Sequence, residues 1–125
     1  MTDHTYRVLV TGSREWDDKD ELRYALIHAT ALRLDSSVIV HGASPRGADA
    51  LAAEWARDYG VQAEAHPADW NGHGKSAGFI RNSEMVSLGA DLCLAFYKQG
   101  AGNKGTDHCA SQAEKAGIPV RRVTS

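Results

Sequence analysis

Residues 37–60 read SVIVHGASPRGADALAAEWARDYG, and their order decides the fold. Residues 37–41 form a compact run rich in β-branched residues, a length that suits a strand better than a helix. Gly42 ends it. The polar, glycine-bearing segment that follows has the composition of a turn. Ala48, Leu51, Ala52, Trp55, Ala56 and Tyr59 then recur at helical spacing, which makes one side of a helix apolar, and Gly60 stands where helices close in a left-handed residue. A strand that runs through a glycine turn into a helix is the building unit of an α/β protein.

The same order of elements extends in both directions. Towards the N-terminus, residues 6–11 (YRVLVT) form a short β-rich run that stops at Gly12. Beyond the turn SREWDD, Asp18 and Glu21 have capping-box spacing, and Leu22, Ala25, Leu26 and Ala29 share one face of a helix predicted over 19–34. Towards the C-terminus the sequence predicts a strand over 61–65 and a long irregular stretch over 66–78 that carries Pro67, Asn71 and three glycines. A helix over 78–88 closed by Gly89, a strand over 91–96, a helix over 106–116 capped by Gly117, and a strand over 120–123 complete the chain. Strict alternation of strands and helices requires right-handed crossovers and a sheet covered on both faces. The expected architecture is a Rossmann-like three-layer α/β sandwich with a five-stranded parallel sheet, residues 6–11 near its centre, and a single domain over 1–125.

Composition narrows the function. Of 125 residues, 42% are hydrophobic and 24% charged, as in ordinary globular proteins, so neither disorder nor a coiled coil is expected. No apolar stretch has the length of a membrane helix, and the polar start MTDHTYR is unlike a secretory signal, so the expectation is a cytoplasmic protein, alone or as a small homo-oligomer. The two cysteines, Cys93 and Cys109, have no paired spacing. The six histidines (His4, His28, His41, His66, His73, His108) lack the spacing that puts two ligands on one helix face, and no metal or other cofactor is expected. A net charge of −2 gives no basic field for tracking a phosphate backbone and argues against extended nucleic acid as a partner.

In an open parallel sheet, ligands bind where strand ends feed helix N-termini, because the unpaired amides there favour anions. Three such junctions are glycine-rich here: Gly12-Ser13-Arg14, the segment from Gly42 through Arg46 and Gly47 to Asp49, and Gly100-Ala101-Gly102-Asn103-Lys104-Gly105-Thr106. Glycine lets the backbone approach a phosphate, Ser13 and Thr106 bring hydroxyls, and Arg14 a planar fork. Arg81 and Asn82, near the start of their helix, are placed to reach the same edge. Asp49 either caps its helix or meets ribose hydroxyls, and Trp70 either stacks on a base or fills the core. Trp16 and Trp55 are read as packing residues. The candidate ligand-binding set is therefore Gly12, Ser13, Arg14, Gly42, Arg46, Gly47, Asp49, Arg81, Asn82, Gly102, Gly105 and Thr106. No loop reads GxxxxGK[ST], and no GxGxxG follows the first strand, which excludes the usual triphosphatase and dinucleotide sites.

Taken together, GSREW, HGASPRGADALAAEWA and AGFIRNSEMVSLGADLCLAF with the later GT and GIPV resemble the YspA-type, YpsA-related branch of the SLOG superfamily, from Arg7 to Val123. The resemblance implies a Rossmannoid fold that binds nucleotides or nucleotide-derived ligands, sometimes as a signal sensor. The superfamily also includes the DNA-processing protein DprA and the "lonely guy" phosphoribohydrolases, which cleave nucleoside monophosphates with an arginine from RKxxM and a glutamate from PGGxGTxxE. Arg81-Asn82-Ser83-Glu84-Met85 is similar to the first motif, which marks Arg81 as a ligand contact. Gly105-Thr106 matches the GT of the second, but the glutamate position is Cys109 and the PGG is replaced by the longer segment 97–104. A neutral thiol neither stabilises an oxocarbenium ion nor activates water well. The first reading is thus a nucleotide-binding or sensing module. The alternatives are a nucleotide N-glycosidic hydrolase with a relocated acid, for which Glu84 and Asp69 are candidates, and a single-strand nucleic-acid or protein-interaction module.

Overall fold

The computed structural model describes residues 5–125; His4 lies outside the described residues. Strands β1 (Tyr6–Gly12), β2 (Ser37–His41), β3 (Gln62–Ala65), β4 (Leu92–Tyr97) and β5 (Val120–Thr124) form one sheet in the order β3-β2-β1-β4-β5, every neighbouring pair parallel. The fold is the expected α/β Rossmann-like one, and β1 is central. Alternate residues of β1 feed two cores. Val8 and Val10 join Ile39, Leu94 and Phe96 beneath helices α1 (Lys19–Thr30) and α2 (Ala48–Tyr59), with Trp16 and Trp55 packed into the same cluster. Leu9 faces the other way, and with Val38, Val40 and Cys93 it meets Met85, Cys109 and Ala113. Those residues belong to α4 (Ala77–Ser87) and α5 (Lys104–Lys115), which follow the short helix α3 (Trp70–His73). The period of two along β1 is therefore what separates the layers.

The order β3-β2-β1-β4-β5 reverses its direction of growth between β1 and β4. Loops leaving those two strands turn to opposite faces, and a crevice opens between them at the carboxyl ends.

Local chemistry explains the helix ends and where they depart from the sequence reading. Asp18 caps α1 as expected, its Oδ1 accepting from the Glu21 amide at 3.1 Å. The helix stops at Thr30 rather than continuing to 34, because Thr30 Oγ1 donates back to the Leu26 carbonyl (2.8 Å) and Leu32 has φ +70°, which helical continuation forbids; a 3₁₀ turn, Leu34–Ser36, follows. The stretch 66–78 is more regular than its composition implies. It contains α3, started by Asp69 accepting from the Gly72 amide at 2.9 Å, and the 3₁₀ turn Gly74–Ser76. Helix α5 begins at Lys104, so Gly105 and Thr106 lie inside its first turn and not in the loop before it. Among the described residues, no helix is long and apolar enough to cross a membrane.

Candidate functional site

Gly12 ends β1 at a point where a Cβ would lie 2.4 Å from the Ala48 Cβ and 2.9 Å from the Phe96 Cβ, so only glycine lets the first turn of α2 press on the strand end. Gly47, with φ +79°, is tighter still: a Cβ there would stand 2.4 Å from the Ser13 carbonyl oxygen and 2.5 Å from the Arg14 Cα. The Ser13 carbonyl accepts from the Ala48 amide (3.2 Å) and the Trp16 amide (3.2 Å), and the buried Ser13 hydroxyl oxygen accepts from the Glu15 amide (3.0 Å). The loops after β1 and β2 are thus joined through backbone.

On the facing side, α4 sends Arg81 into the crevice. Its Nη1 donates to the carbonyl of Gly42 and, at 3.4 Å, to that of His66, while Nε donates to Asn82 Oδ1 at 3.0 Å. Asn82 is buried and its Nδ2 donates to the Gly105 carbonyl at 3.2 Å, which ties the arginine's support to the first turn of α5. A Cβ on Gly42 would meet Arg81 Nη1 at 2.6 Å and Asp49 Oδ2 at 3.0 Å, so this glycine makes room for both charged groups. None of the ion pairs among the described residues includes Arg81. Burial lowers its pKa from the usual arginine value, with Asp49 acting in the opposite sense. Asp49 itself is only 7% exposed, and burial lifts its carboxyl to about 6 against the pull of the Ser44 amide and the Arg81 charge. Asp49 does not cap α2. Gly47 is the N-cap residue, and Asp49, within the first turn, accepts from the Ser44 amide at 3.3 Å and so shapes the loop instead.

These groups surround a pocket of about 300 Å³. Four cations line it, Arg14, Arg46, Lys75 and Arg81, against two carboxylates, Glu15 and Asp49. Arg46 is paired with Glu15 at 3.1 Å on the exposed rim. Arg14 lies over the Trp70 ring, with 5.6 Å from its Cζ to the ring centroid. At the far end, α5 starts without a side-chain cap, because Asn103 spends its side chain on the preceding loop: Oδ1 accepts from the Lys98 amide (3.0 Å) and Nδ2 donates to the Lys98 and Ala101 carbonyls (2.9 and 3.1 Å). An uncapped N-terminus presents amide donors to the crevice.

The profile of the YspA, cpYpsA-related SLOG family (YAcAr) matches residues 6–73, the span from β1 to the end of α3. The chain belongs to this family. It is also 47% identical over 119 residues to the gene 61 protein of Mycobacterium phage D29, a match that covers 91% of this chain and 93% of that protein. SLOG membership points to a nucleotide-related function.

In this SLOG protein the candidate residues chosen from sequence lie on the pocket wall, with Gly47 as the exception; it sits behind the wall as the contact between two loops. Trp70 fills no core, being half exposed at the rim. Trp16 and Trp55 are buried as packing residues. Cys109 is fully buried beside Met85 and Cys93, off the pocket wall, and burial lifts its thiol to about 11, so it stays neutral. Glu84 is exposed on the outer side of α4, and Asp69 caps α3, so neither lines the pocket. Sequence reading missed Val10, Thr11, Glu15, Ser44, Lys75, Gly78, Phe79 and Met85 as wall residues. Glu15 stands next to Arg14, and Ser44 midway between Gly42 and Arg46 in the same loop. Lys75 had a usable signal, a lone cation in a long connection.

Proposed function

We propose that the pocket binds a ribonucleotide or a nucleotide-derived ligand, phosphate towards the loops after β1 and before α5, and that it acts as a sensing or accessory module that does not hydrolyse what it holds. The observation that carries this reading is Arg81: a half-buried guanidinium on a pocket wall, bonded to neutral oxygens and lacking an ion pair among the described residues. Asp49 lies near this buried cation without forming an ion pair with it, and an anionic ligand adds a direct charge-assisted bond that offsets more of the burial cost. The excess of cations in the pocket, on a chain of net charge −2, points the same way. The neutral, buried Cys109 supports binding without hydrolysis.

One observation favours a second reading. Asp49 is a pocket carboxylate whose pKa of about 6 suits an acid catalyst, and it lies near Arg81, which would make this chain a hydrolase of nucleotide N-glycosidic bonds with a relocated acid. The two readings separate in one experiment: calorimetry against AMP, ADP, cyclic mononucleotides and ADP-ribose, run beside chromatography for free base. Binding without base release is the expected result. Steady release of base that disappears in Asp49→Asn establishes the second reading, and no binding to any of these compounds overturns both.

A further inference from the structure

Of the three tryptophans, Trp16 and Trp55 are 2% and 0% exposed, whereas Trp70 is 50% exposed. Its position is nonetheless defined. Asp69 fixes the start of α3 beneath it, and the ring edge rests against Gly78, where a Cβ would lie 3.4 Å from Trp70 Cη2. Gly78 therefore gives the indole a flat seat at the pocket mouth. The partner over its face is Arg14, which arrives from the opposite wall, near the start of the loop after β1. An exposed indole face at the mouth of a polar pocket, with an exposed arginine over it, is a surface that a flat ring can take over.

We propose that the Trp70 face is the seat of the ligand's base, a purine by preference because its two fused rings overlap the indole best, and that the base takes the place Arg14 holds there. The inference rests on the reading that the pocket binds a nucleotide. Magnitudes favour the exchange. A base stacked on an aromatic side chain contributes roughly 5- to 140-fold in affinity, and the exposed cation–π contact it displaces contributes roughly 2- to 5-fold. The displaced Arg14 stays beside Ser13, at the end of the pocket where the phosphate lies, so the exchange turns a rim contact into a phosphate contact. The ligand is then read at both ends, by charge at the glycine loops and by ring area at Trp70.

The test compares AMP with ribose 5-phosphate on the full chain, followed by calorimetry and by tryptophan emission. Iodide reaches Trp70 and not the two buried tryptophans, so the emission that iodide quenches reports this side chain alone. AMP is expected to quench that emission, and ribose 5-phosphate to bind without quenching it. Trp70→Leu is expected to weaken AMP about 5- to 50-fold while changing ribose 5-phosphate by less than about two-fold, and Trp70→Phe is expected to recover most of the AMP affinity. Equal AMP affinity in Trp70→Leu and the parent overturns the base seat while leaving nucleotide binding standing, as does an equal loss for both compounds. If the parent binds neither compound, nor ADP, the cyclic mononucleotides or ADP-ribose, the nucleotide reading falls and the base seat with it.

Discussion

Arg7 and Arg81 are both partly buried, at opposite ends of the same sheet, and they are answered differently. At the amino end of β1, Arg7 makes two 2.9 Å bonds to the Glu64 carboxylate and a 2.8 Å bond to the Gly89 carbonyl, and Glu64 also contacts His66 at 2.7 Å. At the carboxyl end, Arg81 bonds to two carbonyls and an amide oxygen. The first arrangement is closed: its charges are matched within the fold. The second holds a guanidinium in place with dipoles and leaves its charge unmatched by an ion pair. The contrast separates an arginine that holds strands together from one kept ready for something else.

The largest effect should come from exchanging the two roles. Arg81→Ala is expected to lower nucleotide affinity about 10- to 150-fold, a loss on the order of 1.5–3 kcal/mol, with little change in melting temperature. Arg7→Ala is expected to lower stability by about 1–3 kcal/mol and leave affinity unchanged, since it removes both bonds to Glu64 and the bond to the Gly89 carbonyl. Melting curves with and without AMP check both, and the comparison breaks if the two variants behave alike.

Asp49 sharpens it next. Its pKa in the fold, about 6, lies above the ordinary carboxylate value, so the folded protein holds the proton more tightly than the unfolded chain. Its favourable contribution is complete below about pH 4 and is lost as pH rises through about 6. Asp49→Asn should therefore be more stable than the parent at pH 8, by on the order of 2 kcal/mol, with the gain gone by pH 4; denaturant titrations at the two pH values measure it.

The smallest effect belongs to Glu64. The Arg7 guanidinium and His66 hold its carboxyl down at about 2, so its contribution is present above about pH 4.5 and disappears as pH falls through about 2, the opposite direction from Asp49. Because the side chain is 33% exposed, solvent screens the pair, and Glu64→Gln should cost only about 1 kcal/mol at pH 7, shrinking towards pH 2.

The two ends of the sheet also differed in how far they could be read in advance. Strand and helix periods are local, so SVIVH and the Ala48–Tyr59 helix stand out in the sequence and are where the structure has them. Glycine at strand ends is local too, and it pointed to Gly12, Gly42 and Gly102 on the pocket wall. What stayed hidden depends on distant partners. Gly47 looks like a loop glycine until the Ser13 carbonyl is placed against it, and nothing near Arg7 in sequence names Glu64 as its partner. Asp49 resembles a helix cap because its spacing fits one, and its actual bond to Ser44 depends on how the loop folds back. The turn of helix at Trp70 was masked by Gly72 within it and Gly74 just after it, which composition counts as irregular.

Gly47 has a mechanical consequence. With its Cα against Ser13 and Arg14, and the Ala48 amide bonded to the Ser13 carbonyl, the loops after β1 and β2 cannot part without losing that bond and that close backbone contact. They form an anvil. The opposing wall is held differently: at Gly74, Gly100, Gly102 and Gly105 nothing lies within 4 Å of where a Cβ would be, and its ties are side-chain bonds, Asn103 to the Lys98 and Ala101 carbonyls and Asn82 to the Gly105 carbonyl.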